Sequence, residues 1–105
     1  MTENDYEIAR ELKELLAVHF DLIDFRVFGS RARGDAENEA DMDVFIEVES
    51  LTPELKEKIH ESTWLVGFKN FIVISPLIVS RFELEQTSLR SSAIILNIMR
   101  EGVSV

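Results

Sequence analysis

Residues 22–28 and 42–48 alternate side chains with the two-residue period of strands, while the intervening Gly29–Ala40 stretch has no such alternation. This strand, interruption, strand pattern constrains the chain more than any other feature. In the first run Ile23, Phe25 and Val27 alternate with Leu22, Asp24, Arg26 and Phe28, and the run stops at Gly29. In the second, Met42, Val44, Ile46 and Val48 share one side, and Asp41, Asp43, Phe45 and Glu47 share the other. Strands this close in sequence belong to a small sheet, which must bury at least one face under helices.

Helical spacing supplies the cover. Ile8, Leu12, Leu15, Leu16 and His19 recur three and four residues apart, which predicts a first helix over Asn4–Phe20. Thr52 and Pro53 form a helix start, with Leu55, Ile59, Ser62 and Val66 along one face and Gly67 as the expected stop. Phe71–Val79 is rich in β-branched residues and reads as a third strand, in which Pro76 demands an edge, a bulge or a bend. Ser80 and Glu83 have capping-box spacing for a short helix, and a last helix follows over Ser91–Arg100 with Gly102 as its punctuation. The order is α/β, and 105 residues fit one domain, residues 1–105.

Charge narrows the function. Eleven Lys plus Arg against twenty Asp plus Glu leave a net charge of -9, which repels a phosphate backbone and argues against a nucleic-acid partner. The absence of cysteine removes disulfides, thiolate nucleophiles and thiolate zinc sites, and fits a cytoplasmic protein. The Phe71–Val79 run, broken by Ser75 and Pro76, is far shorter than the ~20 residues of a spanning helix, so no membrane role is expected.

The chemistry concentrates in Gly29-Ser30-Arg31-Ala32-Arg33-Gly34-Asp35 and in Asp41-Met42-Asp43. A glycine directly after a strand allows close backbone approach to a ligand, and Ser30 adds a hydroxyl beside it. Arg31 and Arg33 are suited to phosphate. Gly29 and Gly34 have the separation of a Walker loop, but Asp35 and Ala36 stand where its Lys and Ser or Thr belong. An EF-hand starting at Asp41 fails as well, because its fifth, sixth and twelfth positions are Phe45, Ile46 and Thr52. Asp41 and Asp43, two apart in a strand, leave the same face with Cα atoms roughly 6.6 Å apart. Such a pair can share magnesium with substrate phosphate oxygens.

On these residues the chain resembles the minimal nucleotidyltransferases of the DNA polymerase β superfamily, whose signature is Gly-Ser, then Arg-Gly or similar, then Asp-x-Asp. The likeness covers Phe28–Val48 in motif terms, and the chain length resembles antitoxin-type members paired with a HEPN-domain protein. It implies a small mixed sheet covered by helices. It also implies that Gly29 and Ser30 contact the phosphates of a nucleoside triphosphate, that Arg33 assists, and that Asp41 and Asp43 ligate magnesium, up to two ions. The implied reaction transfers a nucleoside monophosphate, AMP from ATP foremost, to a hydroxyl with loss of pyrophosphate. A partner protein is the favoured acceptor, and a non-enzymatic antitoxin or binding module is the alternative.

The sequence departs from the family in one respect that bears on turnover. Relatives carry a third carboxylate on the neighbouring strand, whereas Phe71–Val79 has no acid and offers only Ser75 before Pro76. Glu47 is roughly 13 Å along the strand from Asp43, too far to complete the set. Ala40 stands where many relatives have serine.

Other residues have plainer readings. Arg31 fits phosphate binding and a surface ion pair with Glu37 or Glu39 equally well. Asp35 reads as a turn residue, and His19 and His60 are too scattered to suggest zinc. Core packing explains Trp64, Phe68 and Phe71 better than a partner-binding stripe. Ile94, Ile95, Ile98 and Met99 suit either sheet cover or a homodimer face.

Overall fold

The computed structural model describes residues 1–37 and 39–105; the interval expected as a loop contains Asn38, which lies outside them. The elements are α1 (Glu3–His19), β1 (Leu22–Phe28), α2 (Gly29–Arg33), β2 (Met42–Val48), α3 (Pro53–Lys69), β3 (Ile74–Ser80), α4 (Arg81–Gln86), a 3-10 turn (Ser88–Ser91), α5 (Ala93–Glu101) and β4 (Val103–Ser104). The four strands form a mixed sheet in the order β3-β2-β1-β4. β1 runs antiparallel to both β2 and β4, and β2 runs parallel to β3.

Alternation in the strands sorts side chains to two covers. Phe25, Val27, Met42, Val44, Ile46, Val48, Ile74 and Ile78 pack with Ile8, Ala9, Leu12 and Leu16 of α1 and Ile59 and Val66 of α3. On the opposite face Phe45 and Val79 pack with Leu84 of α4 and Ile95 and Ile98 of α5. Asp43, two residues before Phe45, lies on this second face, at the end that the helices leave open.

The helix starts follow from local hydrogen bonding. Thr2 caps α1 in a capping box with Asp5, Thr52 caps α3 ahead of Pro53, and Ser80 with Glu83 forms the expected box at α4. Ser92 caps α5.

Several boundaries differ from the sequence expectation. The segment after β1 is not all loop, because Gly29–Arg33 forms a short helix that ends at Gly34 in the left-handed conformation (φ 83°). Gly67 does not end α3, which continues to Lys69. Its lack of a side chain serves the returning chain instead, since a Cβ there would stand 2.7 Å from the Ile72 carbonyl oxygen. That tight return holds Phe71 at φ 59°, so β3 begins only at Ile74. Pro76 is accommodated because β3 is an edge strand. β4 was not legible in the sequence: two residues paired with Arg26 and Val27 are too few to show a period.

Candidate functional site

Three strand-end positions converge where β1 and β3 flank β2. Asp43 is paired in register with Phe28 of β1 on one side and Ser75 of β3 on the other. Asp41 lies just before β2, exposed, on the same side as Asp43, and Ser75 donates its hydroxyl hydrogen bond to Asp41 Oδ2 at 3.3 Å. The parallel register therefore brings Ser75 beside both acids.

Gly29 approaches Asp43 closely. It adopts φ 74°, and a Cβ on it would lie 2.5 Å from Asp43 Oδ2. Any other residue would strain the backbone and force the Asp43 carboxylate to move. Ser30 follows in the first turn of α2, and Phe28, at the N-cap, offers no side-chain cap to that turn. Arg33 is exposed, pairs with Asp35 at 3.3 Å, and contributes favourable charge to Asp43. Burial pushes the Asp43 carboxyl above the usual carboxylate range, the negative charge of Asp41 pushes it further, and Arg33 opposes both.

Arg31 does something different from either expectation. It is buried, and its Nη1 donates to Asp5 Oδ1 at 2.7 Å in α1. Its Nε and Nη2 donate to the Ala40 carbonyl oxygen at 3.0 and 2.6 Å. The expected surface pair with Glu37 or Glu39 is replaced by a buried one, because the short helix α2 turns Arg31 inward toward the N-terminus of α1. Asp5 serves twice, since its Oδ2 accepts from the Thr2 backbone N–H in the capping box. Arg31 thus fixes the residue preceding Asp41. The only sequence hint of this was the acid at the third position of α1, which reads equally as a cap alone.

A cavity of about 220 Å³ adjoins Gly29 and Arg33, closed by Phe28 and by Ile94, Asn97, Ile98 and Glu101 of α5. No sequence signal had joined α5 to the glycine turn. Of the site residues expected from sequence, Gly29, Asp41 and Asp43 lie together with Ser30 next to Gly29, while Arg33 approaches from the exposed side of α2.

The residues suit a divalent cation brought in with a polyphosphate. Two neighbouring carboxylates, one of them disfavoured as an anion without a counter-charge, would gain from such an ion. Among the described residues no group of three His, Cys, Asp or Glu side chains could hold a metal by itself.

The sequence matches the nucleotidyltransferase domain family over residues 5–100. The chain belongs to that family. Solved structures agree on the fold. A protein designated a minimal nucleotidyltransferase superposes with a TM-score of 0.63 at 23% identity, covering 99% of this chain and 97% of that one. A nucleotidyltransferase-designated protein from Sulfolobus solfataricus gives 0.52 at 20% identity over 93% of this chain and 76% of its own. A chain from a toxin-antitoxin structure with AMP-PNP gives 0.59 at 16% identity, covering 91% and 70%. No curated protein matches the sequence. Nucleotidyltransferases of this family generally use a nucleoside triphosphate and a divalent metal.

Proposed function

We propose that the protein transfers a nucleoside monophosphate, AMP from ATP foremost, to a hydroxyl on a partner protein, with release of pyrophosphate. The observation that carries this reading is the closeness of Asp43 to a glycine whose missing side chain leaves room at its carboxylate, with Asp41 beside it on Ser75. Asp41 and Asp43 would hold magnesium. Bound there, the ion neutralises polyphosphate charge and supports in-line displacement at the α-phosphorus. Gly29 and Ser30 bring backbone and hydroxyl close to the phosphates, and Arg33 adds positive charge at the exposed side. Ser75 beside Asp41 is no base near neutral pH, so the acceptor's proton leaves to the substrate or to a group on the partner. Similarity to the toxin-antitoxin structure with AMP-PNP supports both a triphosphate and a protein partner, and a HEPN-domain protein in the cytoplasm is the partner we infer.

A second reading, a non-enzymatic antitoxin or binding module, is favoured by the serine in place of an acid beside Asp41. Incubation with labelled ATP, magnesium and the product of the neighbouring reading frame separates the two. Label on the partner that disappears in Asp41→Asn and Asp43→Asn supports transfer; a stable complex without label, unchanged by both substitutions, selects the binding module. Thermal shift with ATP and magnesium tests the pocket alone, since a ligand at 100 times its dissociation constant stabilises by ~2.7 kcal/mol.

A further inference from the structure

α3 buries Ile59, Thr63, Val66 and Gly67 against the sheet and turns a row of aromatic residues outward. Trp64 and Phe68 stack with ring centroids 5.0 Å apart at 13°. They are 63% and 69% exposed, and beyond them Phe71 is 94% and Val73 62% exposed. Core packing, the reading the sequence favoured, does not account for them. Phe71 also sits in the left-handed region, at φ 59°, without packing that would offset the strain.

These side chains line a continuous apolar surface. A groove of about 560 Å³ runs between Trp64 and Phe68 on α3 and residues Val73, Ile74 and Pro76 at the edge of the sheet. Past Phe68 it meets a second hollow of about 460 Å³ between Phe71, Val73 and Glu39. Contiguous exposed apolar surface of this kind marks an interaction site. Addition of a strand is disfavoured because Pro76 removes a backbone donor from the edge, which leaves side-chain docking into the groove.

Charge selects the occupant. Glu57 and Glu61, one helical turn apart, are exposed along the groove, and among the described residues neither forms an ion pair. Glu39 borders the second hollow, where the buried Arg31 is paired with Asp5, and the whole chain carries -9. An apolar floor with an acidic rim fits a segment whose apolar residues are flanked by Lys or Arg. A second copy of this chain would bring its own acids to the contact. Position matters too, because Ile74 and Pro76 turn to the α3 face of β3 and Ser75 between them turns to the carboxylate face, so only the edge strand separates the groove from Asp41.

We propose that the groove between α3 and β3 is the docking surface for a basic amphipathic segment of the protein that presents the acceptor hydroxyl, a proposal that rests on the transferase reading above. Docking there holds the partner along the edge strand whose first residues flank the carboxylates, and an acceptor side chain reaching around that edge gains proximity that the small site itself does not provide.

Trp64 is the only tryptophan in the chain, so its emission reports directly on the groove. The probe is a synthetic helical peptide with leucine on one face and lysine on the other, compared with its leucine and glutamate counterpart. The expected result is a saturable blue shift of Trp64 emission with the lysine peptide only, weakened by salt. Phe68→Ser and Val73→Ser each lower the affinity at least tenfold while leaving circular dichroism and the melting temperature near native values. Glu57→Lys with Glu61→Lys shifts preference toward the glutamate peptide. Equal responses to both peptides, undiminished binding in Phe68→Ser and Val73→Ser, or a self-association on sizing columns that Phe68→Ser abolishes would each overturn the proposal. The Asp41→Asn, Asp43→Asn double variant is expected to bind the lysine peptide as the native chain does. Failure of the transferase reading therefore shows as a missing thermal response to ATP and magnesium with peptide binding intact, and failure of the docking proposal shows as the reverse.

Discussion

The carboxylate end and the aromatic edge are joined by one strand, β3, yet they are built on opposite principles. At the carboxylate end the polar groups are held in place: Arg31 ties α1 to the residue before Asp41, and Ser75 contacts Asp41 directly. At the aromatic edge Trp64, Phe68 and Phe71 face solvent, with Trp64 stacked on Phe68 and the chain returning past Gly67. A site that must position charge needs rigid support from buried partners, whereas an apolar docking face needs only accessible area. Substitutions that remove the support at the first should therefore be costly to stability, and those at the second nearly silent until a partner is present.

The sharpest test of this contrast is Arg31→Met. Breaking a buried pair leaves the Asp5 carboxylate without its counter-charge, a loss of about 3–5 kcal/mol. Urea unfolding checks it, and a loss under about 1 kcal/mol would mean that the carboxylate end is not held by Arg31.

Gly29→Ala comes next. A left-handed conformation costs a residue with Cβ roughly 1–2 kcal/mol, and the new methyl group displaces the Asp43 carboxylate. The variant should lose that much stability together with the thermal response to ATP and magnesium. Native stability and a native response would show that the close approach has no consequence.

Phe71→Gly probes the other region. Relief of the positive φ at an exposed side chain should leave stability unchanged or raise it by up to about 1 kcal/mol. A clear loss of stability would show that Phe71 packs in solution and would break the contrast.

The smallest effects are in pH dependence. Asp43 and Glu47 both have carboxyls raised mainly by burial, with nearby acids adding to the shift. A folded-state pKa above the unfolded value gives stability that is complete below the ordinary carboxylate range, near pH 4, and is lost as pH rises through the folded value. Asp43→Asn and Glu47→Gln should therefore raise the melting temperature of the ligand-free protein at pH 7, with the gain shrinking toward pH 4. At the aromatic edge Phe68→Ser should show no such pH dependence. Equal gains at both pH values would contradict burial as the cause.

Much of the polar site was legible because its signals are local. A glycine at the end of a strand and two aspartates with the strand period determine backbone freedom and facing without reference to distant residues. Thr52 with Pro53 and Ser80 with Glu83 marked helix starts for the same reason, their partners being three residues away. Arg31 misled because its partner Asp5 lies 26 residues earlier and an arginine in a glycine-rich turn has several equivalent local explanations. The aromatic residues misled because helical spacing indicates which side chains share a face, not whether anything covers it. Gly67 looked like a helix stop, although its role belongs to the chain returning at Ile72.

The sequence by itself determined the order of the longer helices and strands, the helix caps at Thr52 and Ser80 and the common face of Asp41 and Asp43, since each follows from torsional preference or hydrogen bonding within a few residues. Only the tertiary structure decided that Ser75 stands beside the acids, that Arg31 is buried on Asp5, and that Trp64, Phe68 and Phe71 remain uncovered. Those outcomes depend on strand register and helix placement, which arise from the packing of the whole sheet against its two covers and have no representation in any short stretch of the chain.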